Sequence, residues 1–249
     1  MTAPALKARG IVKRYGHIEA LRGVDFQVDH GEVVALIGDN GAGKSTLSKI
    51  LVGAIEPTEG TIEFEGGPVV FKGPADARRH GLEIVYQDLA LAPHLEPAEN
   101  FYLGREIYRG GALGRWLGLL DRATMRRRAI EAMRTLNVNL KDERGRISEL
   151  SGGQQQGVAV ARAAFWASSV LFLDEPTAAL GVRQRSGVHD MIKKVQQNGL
   201  GIVLISHDLP EVMDVADRIH VLRRGETAKI YERGETDTMG LVAAITGAH

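Results

Sequence analysis

Gly38-Asp39-Asn40-Gly41-Ala42-Gly43-Lys44-Ser45-Thr46 is the stretch that decides how this chain is read. Val33-Val34-Ala35-Leu36-Ile37 precedes it, a short apolar run rich in β-branched residues. Leu47, Ser48, Lys49, Ile50 and Leu51 follow it and read as the start of an amphipathic helix. Strand, glycine-rich turn and helix form the context in which GxxxxGK[ST] holds phosphate. The glycines let the backbone turn tightly and aim several N–H groups inward. With the positive end of the following helix, those groups can hold an anion carrying several charges. Lys44 is then spaced to reach the β- and γ-phosphates, and the Ser45 hydroxyl to take a place on Mg²⁺. The expectation is a chain that binds ATP or GTP.

The bulk numbers agree with an ordinary globular protein. The chain has 249 residues, 44% hydrophobic and 25% charged, which is enough to bury a proper core. Lys plus Arg is 31 and Asp plus Glu is 31, so the formal charge is zero. No bulk field favours nucleic acid or an anionic membrane surface, and nucleic acid is not an expected partner. Cysteine is absent, which removes disulfides and thiolate metal sites. Met1-Thr2-Ala3-Pro4-Ala5-Leu6-Lys7 has no apolar core of signal-peptide length. No apolar run approaches the ~18 residues of a spanning helix. The expectation is a soluble chain whose membrane role, if it has one, is as a partner.

Residues 8–37 read as strands with tight turns, punctuated by Gly16, Gly23 and His30-Gly31. The helix after the glycine-rich turn is expected to run to about Val52-Gly53. Glu56-Pro57-Thr58-Glu59-Gly60 reads as a turn, and Thr61-Ile62-Glu63-Phe64-Glu65 alternates as a strand. From about Asp88 to Ser148 strand signals fade and helical periodicity dominates, as in Ala129-Ile130-Glu131-Ala132-Met133-Arg134-Thr135-Leu136. Within it, Arg126-Arg127-Arg128 reads as a solvated helix face. From Ser151 the alternation of helix and strand returns. Val170-Leu171-Phe172-Leu173 and Gly201-Ile202-Val203-Leu204-Ile205 are continuous apolar runs, as parallel strands buried on both faces require.

The first of those runs ends in Asp174-Glu175. A buried strand delivers its last side chains to the carboxyl edge of the sheet, where ligands of α/β folds sit. Asp174 could hold Mg²⁺ there, and Glu175 could polarise the water that attacks a γ-phosphate. Alone, such an acidic pair also fits a turn or a helix cap. Leu150-Ser151-Gly152-Gly153-Gln154 has the form of an N-cap serine and glycines opening a helix, which is a second anion-binding helix end.

At this point the chain resembles the ATP-binding cassette (ABC) family, whose signature is LSGGQ. The resemblance spans about Leu6 to Arg224. It implies an α/β fold: a P-loop NTPase core with a mostly parallel sheet, an N-terminal antiparallel β subdomain and a helical insert. It also implies one nucleotide-binding domain over residues 1–249, with about 1–87 and 149–249 as core and about 88–148 as helical subdomain. On the family pattern Tyr15 stacks on adenine. Gln87, in Ile84-Val85-Tyr86-Gln87-Asp88, meets Mg²⁺ and the attacking water. His207, in Ile205-Ser206-His207-Asp208, is the switch histidine near the γ-phosphate. Catalytic roles thus fall to Glu175, His207 and Gln87, and metal contacts to Ser45, Gln87 and Asp174. ATP is then gripped between Gly38–Thr46 of one cassette and Ser151, Gly152, Gly153 and Gln154 of another packed head to tail.

Two positions depart from the family pattern. Ala179-Leu180 is followed by Gly181 where an aspartate is usual, which removes a side chain from the cross-talk between paired sites. Gln155 stands where many members carry Arg or Lys, which removes a cation near the signature. Gly73-Pro74-Ala75-Asp76-Ala77-Arg78, Val85–Pro93 and Asp174–Val182 resemble the ribose, xylose and fructose type of importer, although many of those fuse two cassettes in one chain. The implied partners are a membrane permease, a second cassette copy or related ATPase subunit, and indirectly a periplasmic or extracellular solute-binding protein. The implied location is the cytoplasmic face of the membrane. An importer for another solute such as an amino acid, or a soluble cassette ATPase acting on nucleic acid or ribosomes, is the alternative.

Overall fold

The computed structural model of the protein describes residues 3–178 and 180–248. β1 (Leu6–Tyr15) and β2 (Ile18–Val28) pair antiparallel across a tight turn at Gly16 and His17. β3 (Val33–Gly38) and α1 (Lys44–Leu51) follow, and then β4 (Glu59–Phe64) and β5 (Gly67–Val69) complete an antiparallel sheet in the order β2-β1-β4-β5. α2 (Pro74–Arg79) leads to β6 (Leu82–Val85), after which come α3 (Pro97–Tyr102), α4 (Gly111–Trp116) and α5 (Arg122–Thr135). α6 (Gly152–Trp166), β7 (Val170–Asp174), α7 (Val182–Gln197) and β8 (Gly201–Ile205) alternate next. α8 (Leu209–Val215), β9 (Arg218–Arg223), β10 (Glu226–Glu232) and α9 (Thr238–Thr246) end the described chain.

The second sheet has the order β10-β9-β3-β8-β7-β6. All of its pairings are parallel except that of β10 with β9. The continuous apolar runs have the expected cause. On β7, Val170 and Phe172 pack into the core shared with α1 and the antiparallel sheet, while Leu171 and Leu173 pack against α6 and α7. On β8, Val203 and Ile205 take the first side and Ile202 and Leu204 the second. Successive side chains point to opposite faces, and both faces are covered. Burying one such side chain stabilises by roughly 2 kcal/mol. On α5, Met125, Ala129 and Met133 recur every fourth residue and bury against Phe101, Tyr102 and Val158.

Four local expectations need correction: of the stretch read as the turn 56–60, Glu59 and Gly60 already belong to β4. Gly23 does not end a strand: β2 runs through it, and the register with β1 shifts between Ile11↔Val24 and Val12↔Arg22. Gly23 has φ +88°, so it serves as a bulge that bends the strand. Glu65 lies outside β4 at φ 49°, in the turn toward β5. Arg126 is only partly solvated, with 29% of its side chain exposed. It pairs with Glu96 at 2.7 Å, and only Arg127 and Arg128 of that run are exposed.

Candidate functional site

β3 is buried along its length and carries Gly38 to the carboxyl edge of the parallel sheet. The turn there requires glycine for two reasons. Gly38 has φ +152°, and a Cβ on it would overlap the Leu222 carbonyl oxygen. Gly43, just before α1, has φ +108°, and a Cβ would stand 2.7 Å from Leu21 Cδ2 and 2.8 Å from the Ala20 oxygen. L side chains are excluded at both positions. Asp39, Asn40, Gly41 and Ser45 are exposed along the turn, Thr46 is half-buried, and Ala42 is buried as its inner anchor.

Lys44 curls back over this turn. Its Nζ donates to the Gly38 oxygen at 2.7 Å and the Asp39 oxygen at 3.1 Å. Burial pushes the ammonium pKa down, opposed by the charges of Glu175, Asp39 and Asp174 around it. Burial also pushes the Asp174 carboxyl up, and the neighbouring Glu175 pushes it further, against Lys44 and Lys49. The ammonium at the exit of β3 thus lies within the electrostatic reach of the two carboxylates at the exit of β7.

The next strand adds a base partner. Asp174 pairs in register with Ile205 of β8, and the Glu175 N–H donates to the Ile205 oxygen at 2.8 Å. The two strands thus end in step, and the residues just beyond them meet. His207 Nδ1 lies 2.9 Å from Glu175 Oε1. Glu175 adopts φ 49°, a left-handed conformation that disfavours a glutamate by about 1–2 kcal/mol. Such strain persists where surrounding structure over-determines it. A carboxylate held by an imidazole is equipped to accept a proton from water.

The second helix end lies elsewhere on the same chain. Ser151 caps α6: the Gln154 N–H donates to Ser151 Oγ at 3.4 Å, and the Ser151 N–H donates to Gln154 Oε1 at 3.0 Å. Ser151 and Gly152 are exposed. Among the described residues no hydrogen bond joins this cap to the Lys44–Asp174–Glu175–His207 group. Gln155, where a cation was expected, has a different use. Its amide donates to the Ile147 oxygen at 3.1 Å and the Leu150 oxygen at 3.0 Å, fastening the preceding turn to α6.

Tyr15 ends β1 with 49% of its surface exposed, and Lys13 Nζ lies over its ring, 5.3 Å from the centre. Gln87 is exposed just beyond β6. The segment after it contains Leu89 at φ 59° and Ala90 at φ 45°. Arg162 of α6 donates to both of their carbonyl oxygens, at 3.0 and 2.8 Å. Sequence reasoning missed Arg162, since nothing within its own window distinguishes it from another helical arginine. Of the Ala179-Leu180-Gly181 departure, Ala179 lies outside the described residues. Gly181 is the N-cap of α7, with its N–H donating to Gln184 Oε1 at 2.9 Å.

The ABC transporter family profile matches residues 21–178. The chain is 48% identical to the fructose import ATP-binding protein FrcA of Rhizobium meliloti, over 98% of this chain and 95% of that protein. It is 39% identical to the xylose/arabinose import ATP-binding protein XylG of Sulfolobus acidocaldarius, over 97% and 93%. It is 42% identical to the ribose import ATP-binding protein RbsA 1 of Rubrobacter xylanophilus over 89% of this chain but 43% of that one, so it spans less than half of that relative. Among solved structures, MJ1267, an ATP-binding cassette of an ABC transporter, is similar with a TM-score of 0.83 at 26% identity, covering 99% and 98% of the two chains. The dimeric MJ0796 cassette bound to ADP and Pi is similar with a TM-score of 0.75 at 27% identity, covering 93% and 100%.

Proposed function

The chain belongs to the ABC transporter family and is an ATPase of that type, and from this premise we propose that it powers import of a monosaccharide through a membrane permease. The observation that carries the reading is the Glu175–His207 contact at the exits of β7 and β8, with Lys44 at the exit of adjacent β3 within the electrostatic reach of Asp174 and Glu175. The sugar assignment is supported by the identity to fructose and xylose/arabinose import proteins, both covered almost end to end. Among the described residues no helix is long and apolar enough to cross a membrane, which suits a subunit attached to a permease at the cytoplasmic face. In this reading residues 1–249 form one nucleotide-binding domain, and the stretch from about 88 to 148 is its helical subdomain.

The turn from Gly38 to Thr46 wraps the phosphates with backbone N–H groups, and Lys44 exchanges its carbonyl contacts for phosphate oxygens. Tyr15 offers its exposed face to adenine. Asp174 and the Ser45 hydroxyl are hard oxygen donors, and the Asp174 carboxylate is partly desolvated next to a second carboxylate, a setting a divalent cation would relieve. Mg²⁺ held there, with Gln87, would neutralise phosphate charge. Glu175 accepts the proton of the attacking water, and His207 holds its carboxylate in place. The helix end at Ser151, Gly152, Gly153 and Gln154 meets the γ-phosphate bound by a second copy or a related subunit. ATP then favours the closed pair, because only there do its phosphates gain the second helix end. Hydrolysis divides the bridge, and the pair opens.

Glu175→Gln tests this directly. Turnover is expected to fall by a factor of about 10² or more, while Mg-ATP drives the variant into a stable dimer on gel filtration with light scattering. Turnover at the parent rate would remove Glu175 from the role of base. A variant that stays monomeric in saturating Mg-ATP, with no second cassette subunit able to restore pairing, would overturn the shared-site mechanism.

A further inference from the structure

Arg185 lies in the first turn of α7 and reaches in two directions. Its Nε donates to the Leu180 carbonyl oxygen at 3.1 Å, and its Nη1 pairs with the Asp208 carboxylate. Asp208 directly follows His207. It caps α8 by accepting from the Glu211 N–H at 3.2 Å, and its own N–H donates to Ser206 Oγ at 3.0 Å. Ser206 in turn donates to the buried Glu211 carboxylate at 2.6 Å. His207 is thus flanked by two anchored residues, while its own ring is exposed and meets Glu175. The neighbouring Gln184 accepts from the Gly181 N–H at 2.9 Å. A Cβ placed on Gly153 would stand 2.9 Å from Gln184 Cγ, so Gln184 lies directly against the helix end that carries Ser151 and Gly152.

We infer that Arg185 is a positioning residue for hydrolysis: by joining the Leu180 carbonyl to Asp208 it holds His207 against Glu175, and through adjacent Gln184 it links that contact to the helix end at Ser151–Gly153 of the same chain. The inference rests on the ATPase reading above and adds a residue to it. Gly181 has no side chain with which to make such a link, and the arginine four residues on supplies it. The ion pair is partly exposed, with 43% and 23% of the two side chains accessible. Pairs of that kind contribute little to stability, so losing this one registers in turnover rather than in folding. Arginine suits the position because its planar fork serves two acceptors at fixed angles, which a lysine ammonium does not.

The test compares the full chain with Arg185→Ala, Arg185→Lys and Gln184→Ala in steady-state ATP hydrolysis and thermal unfolding. Arg185→Ala is expected to lower kcat about tenfold or more through misplacement of the reacting groups, with KM for ATP within about twofold and the unfolding midpoint within a few degrees. Arg185→Lys recovers part of the lost kcat. Gln184→Ala lowers kcat by a smaller factor, again without a matching rise in KM. In the Glu175→Gln background, Arg185→Ala leaves ATP-driven pairing intact. A kcat for Arg185→Ala within twofold of the parent, or a loss matched by an equal rise in KM or by lost stability, overturns the inference. If Arg185→Ala does not fold, unaltered kcat in both remaining variants overturns it equally. A parent chain without ATP turnover would sink the ATPase reading instead, whereas an active parent with unaffected variants sinks this inference alone.

Discussion

His220 makes the fold sensitive to acid, and the size of the effect follows from its surroundings. β9 turns this histidine inward, where it is 3% exposed. Its Nε2 lies 3.0 Å from Thr227 Oγ1, and its ring packs on Phe26 with centroids 5.5 Å apart. Burial first, and then the positive charge of Arg218, push its pKa from 6.5 down to about 4, with Asp25 opposing. Above pH 6.5 the imidazole is neutral in both the folded and unfolded chain and contributes no pH dependence. As pH falls from 6.5 to about 4, the unfolded chain takes a proton that the folded chain refuses, so stability declines. At about 1.36 kcal/mol per unit, the loss is roughly 2 kcal/mol at pH 5 and roughly 3 kcal/mol below pH 4. Urea unfolding of the parent and of His220→Phe at pH 7.5, 6 and 5 isolates this contribution, because the carboxylates titrate alike in both. At pH 7.5 the variant is expected to be the less stable by about 1 kcal/mol, since Thr227 loses a partner. Moving to pH 5 shifts the difference in the variant's favour by about 2 kcal/mol. A difference between the two proteins that does not change with pH refutes the reasoning.

Two further predictions concern nucleotide binding. Lys44→Ala is expected to weaken ATP binding at least about tenfold by calorimetry, because it removes a phosphate-facing charge worth more than 1.4 kcal/mol; unchanged affinity would contradict the phosphate-loop assignment. Tyr15→Ala is expected to raise KM for ATP about fivefold, the equivalent of roughly 1 kcal/mol of stacking, with kcat at saturation preserved and Tyr15→Phe silent. A fall in kcat for Tyr15→Ala with KM unchanged would place the residue in a different role.

The glycine-rich turn was legible because its requirements are local. Gly38 and Gly43 need positive φ and close backbone approach, and Lys44 folds back within six residues of the oxygen it meets. The capping box at Ser151 and Gln154 is equally local. Gly23 was misread because a bulge is a property of two strands, and β1 supplies the partner that the residue's own neighbourhood does not show. Arg126 was misread for a similar reason, since Glu96 lies 30 residues away. Gln155 could be recognised as a departure from a pattern, but not as the residue that fastens Ile147 and Leu150.

The amino-acid sequence by itself determined the glycine-rich strand–turn–helix, the buried parallel strands and the second capped helix end. Each depends on backbone geometry and side-chain alternation within a window of a few residues. Only the tertiary structure decided that Glu175 touches His207, that Arg162 grips the segment after Gln87, and that Arg185 joins Leu180 to Asp208. Glu175 and His207 are 32 residues apart and meet because β7 pairs beside β8 with Asp174 opposite Ile205. Strand order and register are set by how the whole core packs, and no local stretch carries that information.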